Sequence, residues 1–356
     1  MMLYLDNASS MGPDSIAAER ANVAEAKQPD AKKKPREGLN ENYARELMEL
    51  HTLGVNGGYT QADVTQVARV FTGWTVDQPQ RGGGFTFNEN RHEPGTKTVL
   101  GRKIKEDGEM EGREVLHMLA TSPATAQFLS RKIAMRFVSD QPPQALVDRM
   151  AKAYLSSDGD ISQVLRAMYR SPEFWSSDAY RAKVKTPNEF VVSALRAGDY
   201  DVQNFEPLAN ALQGMGMQLY GSVPPTGYNW QASTWVSTGA LVNRMNFALQ
   251  LAANKFPGVT TAWTQPSGSS QQPAPTLVSV PPAAAAPTPE AEEQRLESML
   301  VAGGVNETTR AAVLQQFEAQ GGRAIAPGKA MSPAAIERQD QLLAGLLLGS
   351  PEFQRR

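Results

Sequence analysis

Apolar residues recur along most of the chain at intervals of three and four, the spacing of an amphipathic helix. In "TQADVTQVARVFTGW", Thr60 stands where an N-cap belongs, Asp63 follows three residues on, and Val64, Val67, Ala68 and Phe71 share one face. The segments "EGREVLHMLA", "SPATAQFLSRKIAMRFV", "PPQALVDRMAKAYL", "ISQVLRAMYRSPEFW" and "PNEFVVSALRAG" repeat this grammar, several with Ser or Thr followed by Pro at the start. The expected fold is mainly α, a multi-helix globular domain. One insert breaks the pattern: in "GGGFTFNENRHEPGTKTVLGRKI", Phe85 and Phe87 alternate with Thr86, and glycines bracket a second short run around Val99. Period-two alternation beside glycines predicts a small β-hairpin or a glycine-rich loop.

Residues 264–294 are rich in Pro, Ala, Ser and Gln and bury too little apolar surface to offset the entropy of ordering, so they read as a linker or loop. That places a main helical domain over 1–263 and C-terminal helices, packing on it, over 295–356. "RSPEFW" near residue 173 and "GSPEFQ" near residue 352 echo each other, a weak sign of duplication.

Composition narrows the partners. The 356 residues carry 35 Lys and Arg against 37 acids, a formal charge of -2, so no global field draws the chain to nucleic acid. The absence of cysteine excludes disulfides, thiolate metal sites and a Cys nucleophile. No run of 18 apolar residues predicts a membrane span, and the first residues show no signal peptide.

The stretch with the most chemistry is "GLNENYARELMELHTLG", residues 38–54. Asn40 is a good N-cap and Gly54 a good stop. At about 100° per residue, Tyr43, Ala44, Leu47, Met48 and Leu50 form an apolar arc with His51 near its middle, which predicts a buried His51. Glu46 lies at the border of the arc and Arg45 and Glu49 beyond it, so this helix alone cannot gather a ligand set. The common role of a lone buried histidine is a neutral imidazole bonded to a carbonyl or carboxylate. The sequence has three histidines, however, and His92 sits in the glycine-rich insert. Were the two to converge, Glu46, His51 and His92, with Asp6 or Glu93, would form an acid/base or divalent-metal centre, and Asn40, Arg45 and Lys97 would hold a polar substrate. His117, between apolar neighbours, reads as structural. In "YRAKVKTP", Arg181, Lys183 and Lys185 read as a solvated basic turn or an anion site. Asp160 reads as a helix cap rather than part of a calcium loop.

The ordered blocks "GLNENYARELMELHTLGVNGGYTQADVTQVARVFTGW", F-x-F, "H-x-x-G-x-K-x-x-L-G", "GDISQVLRAMYRSPEFW", "KVKTPNEFVVSALRA" and "LLGSPEFQRR" resemble the family catalogued as domain of unknown function 1800. The resemblance implies a mainly helical bacterial protein, exported to the periplasm or beyond, and often found beside a sulfatase-like partner. It brings no settled activity and no known cofactor. Relatives carry a helical part ahead of "YLDN", so this chain is expected to be a shortened form. The family pattern has His-Asp where this chain has His92 and Glu93, and His-Pro where it has Ser122 and Pro123.

Two functions follow from these readings. One is an exported enzyme whose polar centre, Glu46, His51 and His92, performs acid/base or metal-assisted chemistry on a polar, carbohydrate or sulfated substrate. The other is a non-catalytic helical scaffold or accessory protein that binds a secreted partner. They divide on whether His51 and His92 meet in one open pocket.

Overall fold

The computed structural model describes residues 2–27, 38–224, 226–263, 288–322 and 332–356. Most of the 264–294 segment therefore lies outside the described residues. The chain divides into two compact units, one formed by residues 1–137 and 141–175, the other by residues 138–140 and 176–356. The division falls at 175/176 and not at the Pro-rich segment, and the three last helices belong to the same unit as those of residues 187–252.

The first unit contains α1 (Ile16–Lys27), α2 (Glu41–Glu46), which runs into a π turn over Leu47–His51, and α3 (Gln61–Val70). Two hairpins follow, β1 (Trp74–Val76) with β2 (Phe85–Phe87) and β3 (Lys97–Val99) with β4 (Arg102–Ile104), then α4 (Glu109–Ala120), α5 (Pro123–Phe137), α6 (Gln144–Ser156) and α7 (Ile161–Tyr169). The insert expected to hold one hairpin thus holds one strand of a first hairpin and the whole of a second: Phe85–Phe87 pairs back onto Trp74–Val76 in antiparallel register, while the Val99 run closes on Arg102–Ile104. Sequence alternation marks a strand but does not name its neighbour.

Local signals explain the placement of α3 and β3. Thr60 and Asp63 form the expected capping box. The second carboxylate oxygen of Asp63 accepts the Leu100 amide at 2.7 Å and so ties the β3–β4 turn to the start of α3. Leu100 and Gly101 both have positive φ, as a tight two-residue hairpin requires. On β3 the inward positions are Lys97 and Val99, with Thr98 exposed between them. The core beneath is built from Tyr43, Met48, Val64, Val67, Phe71, Trp74, Val115 and Leu119.

In the second unit, α8 (Pro187–Ala197), β5 (Asp201–Val202), α9 (Glu206–Gly214), α10 (Thr238–Ala252), β6 (Val259–Thr260), α11 (Pro289–Leu300), α12 (Glu307–Ala319) and α13 (Pro333–Leu348) surround an apolar core. Phe190, Phe247, Leu251, Trp263, Leu296, Phe317, Leu343 and Leu347 are buried in it. Helix α11 begins inside the presumed linker, with Thr288 as its cap. The two SPEF phrases fold alike: Ser171 Oγ accepts the Phe174 amide and Ser350 Oγ the Phe353 amide, at 3.3 and 3.2 Å. The architecture is mainly α with small two-stranded sheets. Among the described residues no helix is long and apolar enough to cross a membrane.

Candidate functional site

His51 is exposed, not buried. The reason is the π turn: i to i+5 bonding advances each residue by less than an α-helix does, so the phase slips over Leu47–His51 and the imidazole leaves the apolar arc. Glu46 is half-exposed. Asn40 caps α2 by accepting the Tyr43 amide at 2.9 Å, and its side-chain amide donates to Leu5 O at 2.5 Å. Arg45 reaches Gln61, which in turn donates to Glu41 at 2.9 Å. Asp6 and His117 are exposed. None of these side chains bonds to His92, so the expected meeting of His51 and His92 does not occur. Among the described residues no three His, Asp or Glu side chains are grouped to hold a metal ion, and the candidate set Glu46, His51 and His92 is not assembled.

His92 instead joins partners that the helix of residues 38–54 does not supply. It is 7% exposed, at the end of the turn before β3. Its Nδ1 lies 2.9 Å from the Thr72 carbonyl, which only accepts, so this nitrogen carries the proton. Its Nε2 lies 3.1 Å from Glu111 Oε1 and 3.2 Å from Lys97 Nζ. Lys97 is fully buried; its ammonium donates to Glu93 O at 2.5 Å, lies beside His92 Nε2, and forms an ion pair with Glu111 Oε2 at 2.8 Å. Glu111 Oε1 also accepts the Asp107 amide at 3.1 Å.

A second ion pair flanks this triad. Buried Glu93 accepts Arg69 at 3.1 and 2.8 Å through one oxygen and the Asp14 amide at 3.0 Å through the other. Its own amide donates to Thr72 Oγ1 at 2.8 Å. Gly12 permits the approach, because a Cβ there would stand 2.5 Å from the Glu93 carboxylate. Burial alone pushes the Glu111 carboxyl up, but its polar contacts with His92, Lys97 and the Asp107 amide outweigh it and hold Glu111 below its ordinary value.

Of the residues expected from sequence, His92, Glu93 and Lys97 come together, while Asn40, Arg45, Glu46 and His51 do not join them. Glu111, Thr72 and Arg69 were not anticipated. Glu111 had a signal: it stands four residues before Val115 and eight before Leu119, both fully buried, so a carboxylate occupied the apolar stripe of α4. Beside the triad lies a cleft of about 580 Å³ with Asp14, Glu89, His92, Glu106, Asp107 and Glu109 on its walls.

The model of the family described as protein of unknown function (DUF1800) matches residues 1–355. The chain belongs to the DUF1800 family. No curated protein and no solved structure matches it. In this DUF1800 chain the H-x-x-G-x-K block supplies both His92 and Lys97 to one buried network.

Proposed function

We propose that the protein is a non-catalytic helical accessory protein that binds a secreted partner, and that the His92–Lys97–Glu111 triad is an internal lock holding β3 and α4 together. The observation that carries this reading is closure: each ring nitrogen of His92, the Lys97 ammonium and each Glu111 oxygen has a polar group of the protein within 3.2 Å, Glu111 Oε2 through its ion pair with Lys97. A general base needs an atom within hydrogen-bond reach of substrate. Here each such atom already has a protein partner.

A recognition surface is supported elsewhere on the first unit. Phe137, Tyr169, Phe174 and Trp175 form a chain of edge-to-face rings with centroids 6.4, 5.0 and 5.2 Å apart. Trp175 is 75% exposed, yet its indole N–H donates to Tyr169 O at 2.7 Å. A rigid exposed indole suits an interface anchor, since little entropy is lost on binding. The proposed partner is the sulfatase-like protein suggested by the family resemblance, met in the periplasm or outside the cell.

The test is calorimetric titration of that partner. Trp175→Ala is expected to weaken binding at least tenfold with little change in melting temperature, whereas His92→Ala is expected to lower the melting temperature sharply. Unchanged binding by Trp175→Ala would remove the proposed face. The competing reading, an exported acid/base enzyme acting on a polar, carbohydrate or sulfated substrate, draws on the position of His92 at the cleft wall. It would gain if His92→Ala stayed folded and abolished turnover of such a substrate.

A further inference from the structure

Residues 181–185 run beside the last residues of the chain. Lys183 and Arg356 exchange backbone hydrogen bonds of 3.3 and 2.9 Å, and the Lys185 amide donates to Gln354 O at 2.9 Å. This pairing gathers Arg181, Lys185 and Arg356 near Arg244 of α10. Arg244 is 1% exposed; its guanidinium donates to Lys185 O at 2.8 Å and to Gln354 Oε1 at 3.4 Å, and lies 5.4 Å from the Phe190 ring centroid. Among the described residues no carboxylate stands at ion-pair distance from it.

The acid that faces this group is Glu189 of α8, and it is already engaged: Arg356 Nε lies 3.2 Å from one oxygen and the Thr186 amide donates to the other at 2.9 Å. Lys183 is answered separately by Asp140. The Lys185 ammonium rests 3.8 Å from the Phe353 ring centroid, and no described carboxylate or hydrogen-bond acceptor reaches it. Burial first, then the charges of Arg181, Arg244 and Arg356, push its pKa down to about 8 against the opposing pull of Glu189. A buried guanidinium with no carboxylate at ion-pair distance, beside an ammonium without an acceptor, leaves more positive charge than Glu189 alone balances.

We propose that Lys185, Arg181 and Arg356, backed by Arg244, bind an oxyanion of the phosphate or sulfate type, either free or as an ester on a small polar ligand. Guanidinium forks and a point-charge ammonium match three or four clustered oxygens, and charge-assisted bonds to them are strong. The bland alternative is a solvated basic turn, and the two differ in sign. On the alternative, removing Lys185 relieves repulsion in every salt. On the proposal it removes a ligand contact.

The experiment is thermal unfolding of the full chain at pH 7, with sodium chloride, phosphate or sulfate at equal ionic strength. Phosphate and sulfate are expected to raise the melting temperature of the wild type in proportion to the logarithm of concentration, as linkage requires. Lys185→Met is expected to melt no lower than wild type in chloride and to lose the specific rise. The exposed control Lys103→Met should keep it, and the difference between the two variants cancels general salting effects. Glucose 6-phosphate raising the temperature more than inorganic phosphate would assign an esterified ligand, and equal effects a free anion. A wild type indifferent to the anion, or a Lys185→Met variant that responds like wild type, overturns the proposal.

Discussion

The two units pair their buried carboxylates with cations in different ratios. In the first, Glu111 and Glu93 are matched by Lys97 and Arg69, with His92 between them, and Glu111 stays below its ordinary pKa although it is 1% exposed. In the second, Arg310 and Arg295 must serve Glu292, Glu293, Glu297, Glu307 and Asp340. Glu293, fully buried, stands 3.4 Å from Arg310 and shares it with Glu297 at 2.8 Å. Burial first and then Glu297 push Glu293 up to about 7, and burial first and then Glu292 push Asp340 up to about 7. Desolvation is common to both regions; what differs is whether each carboxylate has a cation of its own. Where it has one, the charge is kept. Where it must share, a proton becomes the cheaper partner.

The most severe way to break the balanced side is Lys97→Met. It leaves Glu111 buried with its counter-ion gone, and the expected loss is about 3–5 kcal/mol at pH 7 in denaturant unfolding, the range for removing one partner of a buried pair. A loss near zero would mean that the pair contributes nothing to the fold.

The acid-rich side should respond in the other direction. A carboxyl whose folded pKa is raised stabilises below its unfolded value and loses that contribution as pH rises through the folded one. Glu293 therefore costs stability between its ordinary value of 4.5 and about 7. Glu293→Gln is expected to raise stability at pH 8 by on the order of 1–3 kcal/mol and to change little at pH 5. The depressed Glu111 has the opposite sign: its contribution is present above its unfolded pKa and is lost as pH falls through the lower folded one. Unfolding followed by probes in each unit should show opposite pH slopes, and parallel slopes would erase the distinction between the units.

The smallest effect concerns His51. Exposed and outside the network, it should tolerate Ala with a stability change within about 0.5 kcal/mol.

His51 also shows where sequence reasoning runs out. Caps and stripes carried the helices: Thr60 with Asp63 and Asn40 were readable because the signal lies within four residues. The π turn was not readable, since nothing local announces one added residue per turn, and a constant-phase wheel placed His51 in the core. Half of the site was legible for the same reason. His92 and Lys97 are five residues apart in one glycine-flanked block, but their carboxylate arrives from α4, at a separation of 19 residues from His92. Glu111 was visible only as a charged residue on an apolar stripe, and its partner could not be named until β3 and α4 were seen together.

The closed triad is tested most directly by the double variant Lys97→Met/Glu111→Gln, with unfolding free energy and partner binding measured on one preparation. Glu111→Gln removes the carboxylate together with its counter-ion, so no buried charge is left alone, and the carboxamide oxygen can still accept from the Asp107 amide. The account predicts that most of the stability lost in Lys97→Met returns and that partner affinity matches wild type. A double variant that is as stable as wild type but no longer functions would contradict it, and would show that the charges of Lys97 and Glu111 do chemistry rather than hold the fold.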